Sequence, residues 1–290
     1  MSLPREEIES DVPSRLDWST VRSSFVEAVR SEFAAWISPG QPHFSSQLAF
    51  AIGRFAEGSA LVRFFELTPS ESGPVTDVLD IGSGNGGVAF AFANCLKYQV
   101  HALDVVPNRL LARLQQSLEM PVRPVIGTGS ALPYRDKRFD IVLLVDVIEH
   151  VKDAHRIGAE VMRVLRPGGV CFVSTAARLR YLTKPDPHYG VKGLVALPNA
   201  LQRFVVNHIL RRRILTADGR CWPAYDVEHT FWHVNEIARL FPGHDSAQGL
   251  YAYPMCGGRV FTREWLRRRL RGFLFHHVLI RKGLATPAGS

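Results

Sequence analysis

Three sets of residues in this chain are spaced to do chemistry. The first is Val78-Leu79-Asp80-Ile81-Gly82-Ser83-Gly84-Asn85-Gly86-Gly87, in which an apolar run carries a carboxylate and passes directly into a flexible turn. Glycines at 82, 84 and 86 let the backbone take positive φ and let a ligand approach where a Cβ would intrude. The second is Asp104, 20 residues beyond Gly84 at the end of the next apolar run, where a carboxylate can accept hydrogen bonds from both hydroxyls of a ribose. The third is a subset of the 11 histidines: His150, His188, His229 and His233 are candidates to take a proton from an acceptor.

Charge narrows the ligand. Glycines 82, 84 and 87 also satisfy Gly-x-Gly-x-x-Gly, which alone is a weak dinucleotide signal. A diphosphate needs an uncluttered helix N-terminus, and Asp80 sets an acid close to it. Two unit charges about 4 Å apart interact by roughly 4 kcal/mol at an effective dielectric of 20. The turn is therefore expected to repel phosphate and attract a cation. An NAD-dependent oxidoreductase is the alternative that would have to tolerate Asp80.

These residues need a scaffold, and the apolar pattern supplies one. From Val75 the chain alternates short apolar runs (75–81, 99–105, 122–126, 139–145, 170–175) with helical patterns (86–96, 109–118, 155–165). That alternation predicts βαβ units, an α/β doubly wound architecture with helices on both faces of a parallel sheet. Val21, Phe25, Val29, Phe33 and Trp36 predict an amphipathic helix over 17–37, and a second helix is expected over 45–66. Together they form an N-terminal helical cap within 1–74, ahead of a domain over 75–290. An insertion over about 177–225, after the fifth strand, is expected to hold a helix from Val191 to Leu210. Beyond it, 233–241 reads as a helix, 249–254 as a strand, 262–271 as a basic helix and 274–280 as the last strand.

Composition agrees: 290 residues with 46% apolar and 21% charged are ordinary for a globular chain. The four cysteines, 95, 171, 221 and 256, form no Cys-x-x-Cys pair, so neither a disulfide framework nor a structural zinc site is expected. A reducing cytoplasm fits. The N-terminus is acidic where a signal peptide would be basic. Even the apolar stretch Leu48 to Leu67 carries Arg54, Glu57, Arg63 and Glu66, so a soluble protein is expected.

With the scaffold in view, the chain resembles a class I S-adenosylmethionine-dependent methyltransferase over roughly 75–175. The carriers are Asp80 to Gly86, Asp104, Ala131-Leu-Pro-Tyr134 followed by Phe139-Asp140, Asp146-Val-Ile-Glu-His-Val151, and Leu165-Arg-Pro-Gly-Gly169. The resemblance implies a mostly parallel seven-stranded sheet and S-adenosyl-L-methionine as cofactor, a cationic nucleoside without phosphate. It implies that Asp80, Gly82, Ser83, Gly84 and Gly86 hold the methionine portion, that Asp104 with Val105 holds the ribose side, and that Asp146 lines the pocket near the amino acid group. Gly127-Thr128-Gly129 stands where the family often has Gly-Asp-Ala, so Thr128 and Gly129 would meet the adenine without a carboxylate. Asp140 and Arg166 to Gly169 read as structural turn residues.

No Asn-Pro-Pro-Tyr and no Pro-Cys nucleophile occurs, which disfavours transfer to a nucleobase amine or a cytosine carbon. A hydroxyl of a small molecule, sugar or lipid-linked metabolite leads as acceptor, with His188 and His150 as candidate bases. Between Arg259 and Lys282 stand eight basic residues and one acid, Glu264. This segment admits a peripheral membrane contact, together with the apolar and arginine-rich stretch Leu194 to Arg213. An RNA methyltransferase is the nucleic-acid alternative, but interleaved aromatics and a separate binding module are missing, so no nucleic acid is expected. A non-catalytic cofactor-binding module is the remaining rival.

Overall fold

The computed structural model describes residues 13–35, 42–67, 75–95, 97–107, 109–151, 153–175, 179–182, 191–215, 221–223, 234–250 and 277–284. Helix α1, Trp18–Ala34, starts at Asp17, whose carboxylate accepts the Thr20 N–H at 3.0 Å. It buries Val21, Phe25, Val29 and Phe33 of the expected stripe, and Trp18 besides. Helix α2, Pro42–Leu67, begins ahead of the expected Ser45. There follow β1 (Asp77–Ile81), α3 (Gly87–Asn94), β2 (Gln99–Asp104), α4 (Arg109–Leu118), β3 (Val122–Ile126), β4 (Phe139–Val145), α5 (Ala154–Val164) and β5 (Leu165–Ser174). The rest comprises α6 (Asn199–Phe204), the hairpin strands β6 (Arg213–Leu215) and β7 (Cys221–Pro223), α7 (Val234–Arg239), β8 (His244–Leu250) and β9 (His277–Lys282).

Seven strands form one sheet in the order β3-β2-β1-β4-β5-β9-β8. The first five run parallel, and β9 lies antiparallel between β5 and β8. Every position of β1 and β4 is buried, as a sheet covered on both faces requires. On one face α1, α2 and α3 bring Phe25, Phe55 and Phe90 together, with Phe25 stacked 5.2 Å from Phe55 and 5.9 Å from Phe90. On the other, Ile157 and Val161 of α5 meet Ile237 of α7 and Phe241 just beyond it.

Two glycines set how closely α2 lies on α3. A Cβ at Gly58 would stand 2.8 Å from Ala91 Cβ and Val88 Cα, and one at Gly87 would stand 2.8 Å from the Phe55 nitrogen. This contact puts the Arg54 backbone beside the first turn of α3.

Several expectations need correction. Arg166 to Gly169, read as a turn, belongs to β5: the pairing jumps from Phe139–Leu165 to Ile141–Val170, and Gly168 takes φ +77° within the irregularity. The single helix expected from Val191 to Leu210 is broken into a 3₁₀ turn (Leu194–Ala196), α6 and a π turn (Val205–Ile209). Pro198 explains the break, because its ring and missing N–H allow a helix to start after it but not to run through it. The strand expected over 249–254 overlaps β8, which starts earlier, at His244, and the last expected strand overlaps β9; residues 251–254 and 274–276 lie outside the described residues. Trp36, the expected helix over 262–271, and His188, His229 and His233 lie outside the described residues.

Candidate functional site

The polar residues converge beyond the carboxyl ends of β1, β2, β4 and β5. Strand order reverses there between β1 and β4, the place where open α/β sheets leave a crevice. β1 ends at Ile81, and the turn after it places Gly82, Gly84 and Gly86 at φ +72°, +50° and +78°. The N–H groups of Gly82 and Ser83 both donate to the Leu103 carbonyl of β2, at 2.8 and 3.1 Å. A Cβ on Gly82 would lie 2.6 Å from Val147 Cγ2, so that position excludes a side chain by conformation and by space. A Cβ on Gly84 would meet only the Gly82 oxygen, at 3.9 Å, leaving this side of the turn open to a ligand.

Asp104 is fixed toward that turn. Its Oδ2 accepts the Gly84 N–H at 2.8 Å and its Oδ1 accepts the Val106 N–H at 3.2 Å. The next residues, Val105 and Val106, are 68% and 51% exposed, an apolar shelf beside the carboxylate. The loop after β3 joins here, because the Gly127 N–H donates to the Asp104 carbonyl at 2.9 Å. Thr128 is exposed, its hydroxyl 3.0 Å from that of Ser130, whereas Gly129 is buried, with a Cβ there only 3.1 Å from Ile81 Cγ2. Thr128 thus faces the open side, and Gly129 serves packing.

Asp80 occupies a different environment. It is 2% exposed, and its Oδ2 is buried without a hydrogen-bond partner, as is the Ser83 hydroxyl. Burial first, and the Asp104 charge second, push the Asp80 carboxyl up to about 8, against the opposing effects of Arg54 and the Ala89 N–H. The electrostatic expectation from sequence treated Asp80 as a standing negative charge. In the fold its burial and the Asp104 charge favour the neutral acid.

Asp146 follows β4 and holds φ +52°. A non-glycine residue in this region costs about 1–3 kcal/mol and persists only where surroundings over-determine it. Here they do: its N–H donates to the Ser174 carbonyl at 3.0 Å, the Ser174 hydroxyl donates to its Oδ1 at 2.9 Å, and Arg54 pairs with its Oδ2. Burial opposes ionisation of Asp146, but Arg54, Ser174 and His277 hold its carboxyl below the usual range. Arg54 also binds Glu57 at 2.6 Å and lies 4.7 Å over the Phe50 ring. Burial raises Glu57 despite that partner.

Arg54, Glu57 and Ser174 were not among the expected site residues. A signal existed for two of them: a basic and an acidic residue three apart share one side of an apolar helix. Read along the chain, they only disqualified that segment from crossing a membrane. Glu149 and His150 part company in the fold. Glu149 is buried and accepts from the Thr175 hydroxyl at 2.9 Å, whereas His150 is exposed. Burial pushes the Cys95 thiol up to about 11 and Cys171 higher still, so neither is poised as a nucleophile. Among the described residues no cluster of His, Cys, Asp or Glu is arranged to hold a metal ion, and no helix is long and apolar enough to cross a membrane.

The site thus offers an orphaned buried acid, a carboxylate aimed at an open glycine turn, and an arginine within the same electrostatic field. The chain is similar to known methyltransferases. Residues 79–173 match the methyltransferase domain family Methyltransf_11. Norajmaline N-methyltransferase of Rauvolfia serpentina is 33% identical over 227 residues, which is 72% of this chain and 74% of that protein. An uncharacterized methyltransferase of Mycobacterium sp. strain JLS is 36% identical over 97 residues, 33% of this chain and 37% of its own length. A possible histamine N-methyltransferase from Thermotoga maritima is a structural likeness with a TM-score of 0.45 and 21% identity, covering 87% of this chain and 98% of that one.

Proposed function

The chain belongs to the S-adenosylmethionine-dependent methyltransferases of class I, and on that premise we propose that it methylates a hydroxyl of a small-molecule, sugar or lipid-linked acceptor. The observation that supports the cofactor role of this site is the buried, unpartnered Oδ2 of Asp80 beside an open glycine turn. A buried polar atom without a partner is costly unless a ligand supplies one. S-adenosylmethionine, when bound, supplies a methyl group already activated on a sulfonium.

The residues fit that molecule. Asp80 and the Ser83 hydroxyl would meet its ammonium end, Arg54 its carboxylate, Asp104 its ribose hydroxyls, and Val105 with Thr128 its adenine. The chain's remaining work is to align an acceptor behind the methyl and exclude water, worth roughly 7–11 kcal/mol for well-oriented pairs. A general base at the acceptor hydroxyl would add about 10²- to 10⁴-fold. We assign that base to His188 first and His150 second. The exposed ring of His150 follows a carboxylate already committed to Thr175.

A second reading, transfer to an amine, draws support from the name of the Rauvolfia relative. Incubating the protein with methyl-labelled donor and a metabolite extract, then identifying the labelled product, separates the two. A methyl ether supports the hydroxyl acceptor, whereas a methyl ester, which requires a carboxylate acceptor, or an N-methyl product replaces it. His188→Ala should lose turnover by 100-fold or more, roughly, while S-adenosylhomocysteine binding is kept; full turnover removes His188 as the base.

A further inference from the structure

The insertion after β5 leaves the sheet beside Asp146, since Ser174 and Thr175 are tied to the site. Shortly beyond, the Tyr181 carbonyl accepts the Gly193 N–H at 2.8 Å, and Tyr181 packs on Val195. This anchors a platform made of the 3₁₀ turn, α6 and the π turn. Its inner side is well buried: Leu194 and Val206 form its core, and Gln202, 2% exposed, donates to the Leu197 carbonyl at 2.7 Å.

The outer side is the reverse of an ordinary surface. Leu201, Phe204, Ile209 and Leu210 are 45%, 52%, 63% and 37% exposed. From Val191 to Arg213 there are five basic residues, Lys192, Arg203, Arg211, Arg212 and Arg213, and no Asp or Glu. All five residues are exposed. Arg211 takes φ +49°, which turns the chain at the end of the π turn.

We infer that this outer face docks on an anionic lipid surface, with the four apolar side chains entering the interface and the arginines meeting lipid phosphates. A nucleic acid would match the charge, but it offers no apolar interior for Leu201, Ile209 and Leu210. A solvated face would match the arginines but leave the apolar residues in water. The platform follows in the chain from the strand end that ties Ser174 to Asp146. This deepens the lipid-linked reading above and rests on it only for the class of acceptor.

The test is co-sedimentation of the full chain with phosphatidylcholine vesicles, with and without phosphatidylglycerol, in the absence of any methyl donor. Binding is expected only with phosphatidylglycerol and should fall with added salt. Each basic side chain near an anionic surface contributes about fivefold, so Arg211→Gln with Arg212→Gln should weaken binding roughly 30-fold. Phe204→Ser with Ile209→Ser should weaken it independently, with circular dichroism and S-adenosylhomocysteine binding unchanged in both pairs. Several results overturn the inference: no sedimentation with either vesicle, binding blind to phosphatidylglycerol, or binding undiminished in both pairs, which would assign it to the basic stretch over 259–271. Self-association of the wild type that Phe204→Ser abolishes would instead make the face a contact between copies of this chain. Vesicle binding and thioether binding are read separately, so failure of docking leaves the methyltransferase reading intact, and failure to bind the thioether strikes that reading alone.

Discussion

β1 carries a buried aspartate near each end, and the two live in opposite circumstances. At the amino end Asp77 pairs with Arg138 at 2.6 Å and Arg166 at 2.9 Å. Beside it Asp140, at the start of β4, accepts the N–H groups of Thr76 and Asp77 and both contacts from the Arg166 guanidinium at 2.8 Å. Each acid there is surrounded by donors. At the carboxyl end, three residues along the same strand, Asp80 has an oxygen with nothing to bind and another acid, Asp104, in its field. The acids at one end of the sheet are matched by donors within the folded chain, and Asp80 at the other keeps an unmatched oxygen. The donor inventory gives the physical reason why the amino-end acids serve structure and Asp80 does not.

The sharpest way to break this contrast is to remove an acid from the matched end. Asp140→Ala strands two backbone N–H groups and half of a guanidinium pair, and should cost about 3 kcal/mol of stability in a denaturant titration. Thioether affinity of the folded fraction should barely change. A loss below about 1 kcal/mol would mean that the amino-end cluster is not the structural clasp described. At the open end the effects should reverse: Asp104→Ala should weaken S-adenosylhomocysteine binding by about 1.5–3 kcal/mol in calorimetry with little effect on unfolding. Unchanged affinity would show that Asp104 does not hold the ribose.

The same contrast explains what could be read before the fold was known. Local apolar pattern announces an element whether it is the fully buried β4, the edge strand β3 or the amphipathic α4, so all three begin and end where the residue pattern puts them. The glycine turn and Asp104 were legible because their chemistry lies within two neighbouring segments. Arg54 was not, since it reaches Asp146 from 92 residues away through a helix contact that depends on Gly58 and Gly87. Nor does local pattern disclose that β9 inserts between β5 and β8, which is decided by long-range pairing. Lys282 illustrates the point again: counted in a basic tail, it donates to the Met162 and Leu165 carbonyls at 2.5 and 2.7 Å and closes the end of α5. The Pro198 break, by contrast, stood in plain view and was outweighed by the apolar period around it.

The protonation of the two β1 acids offers the finest test. Asp80 is raised in the folded chain to about 8 from an ordinary 3.8, so between those values the folded state holds a proton that the unfolded state has released. Its contribution to stability is fully present below the unfolded value and is lost as pH rises through about 8. Asp77 runs the other way. Burial favours its neutral form, but Arg138 and Arg166 outweigh burial and hold it below 3.8, so its contribution is present above that value and is lost as pH falls through the lowered one. Replacing Asp80 with Asn should therefore flatten the stability profile between 3.8 and about 8 and leave the side below 3.8, set by Asp77, in place. In the wild type, binding of the ammonium-bearing thioether near neutral pH should release a proton, because a cation beside Asp80 pulls its carboxyl down. Calorimetry in buffers of different ionisation enthalpy reads that release directly, and it should vanish in Asp80→Asn. Proton uptake, or a release that survives the substitution, would place the titrating group elsewhere and leave the two ends of β1 electrostatically alike.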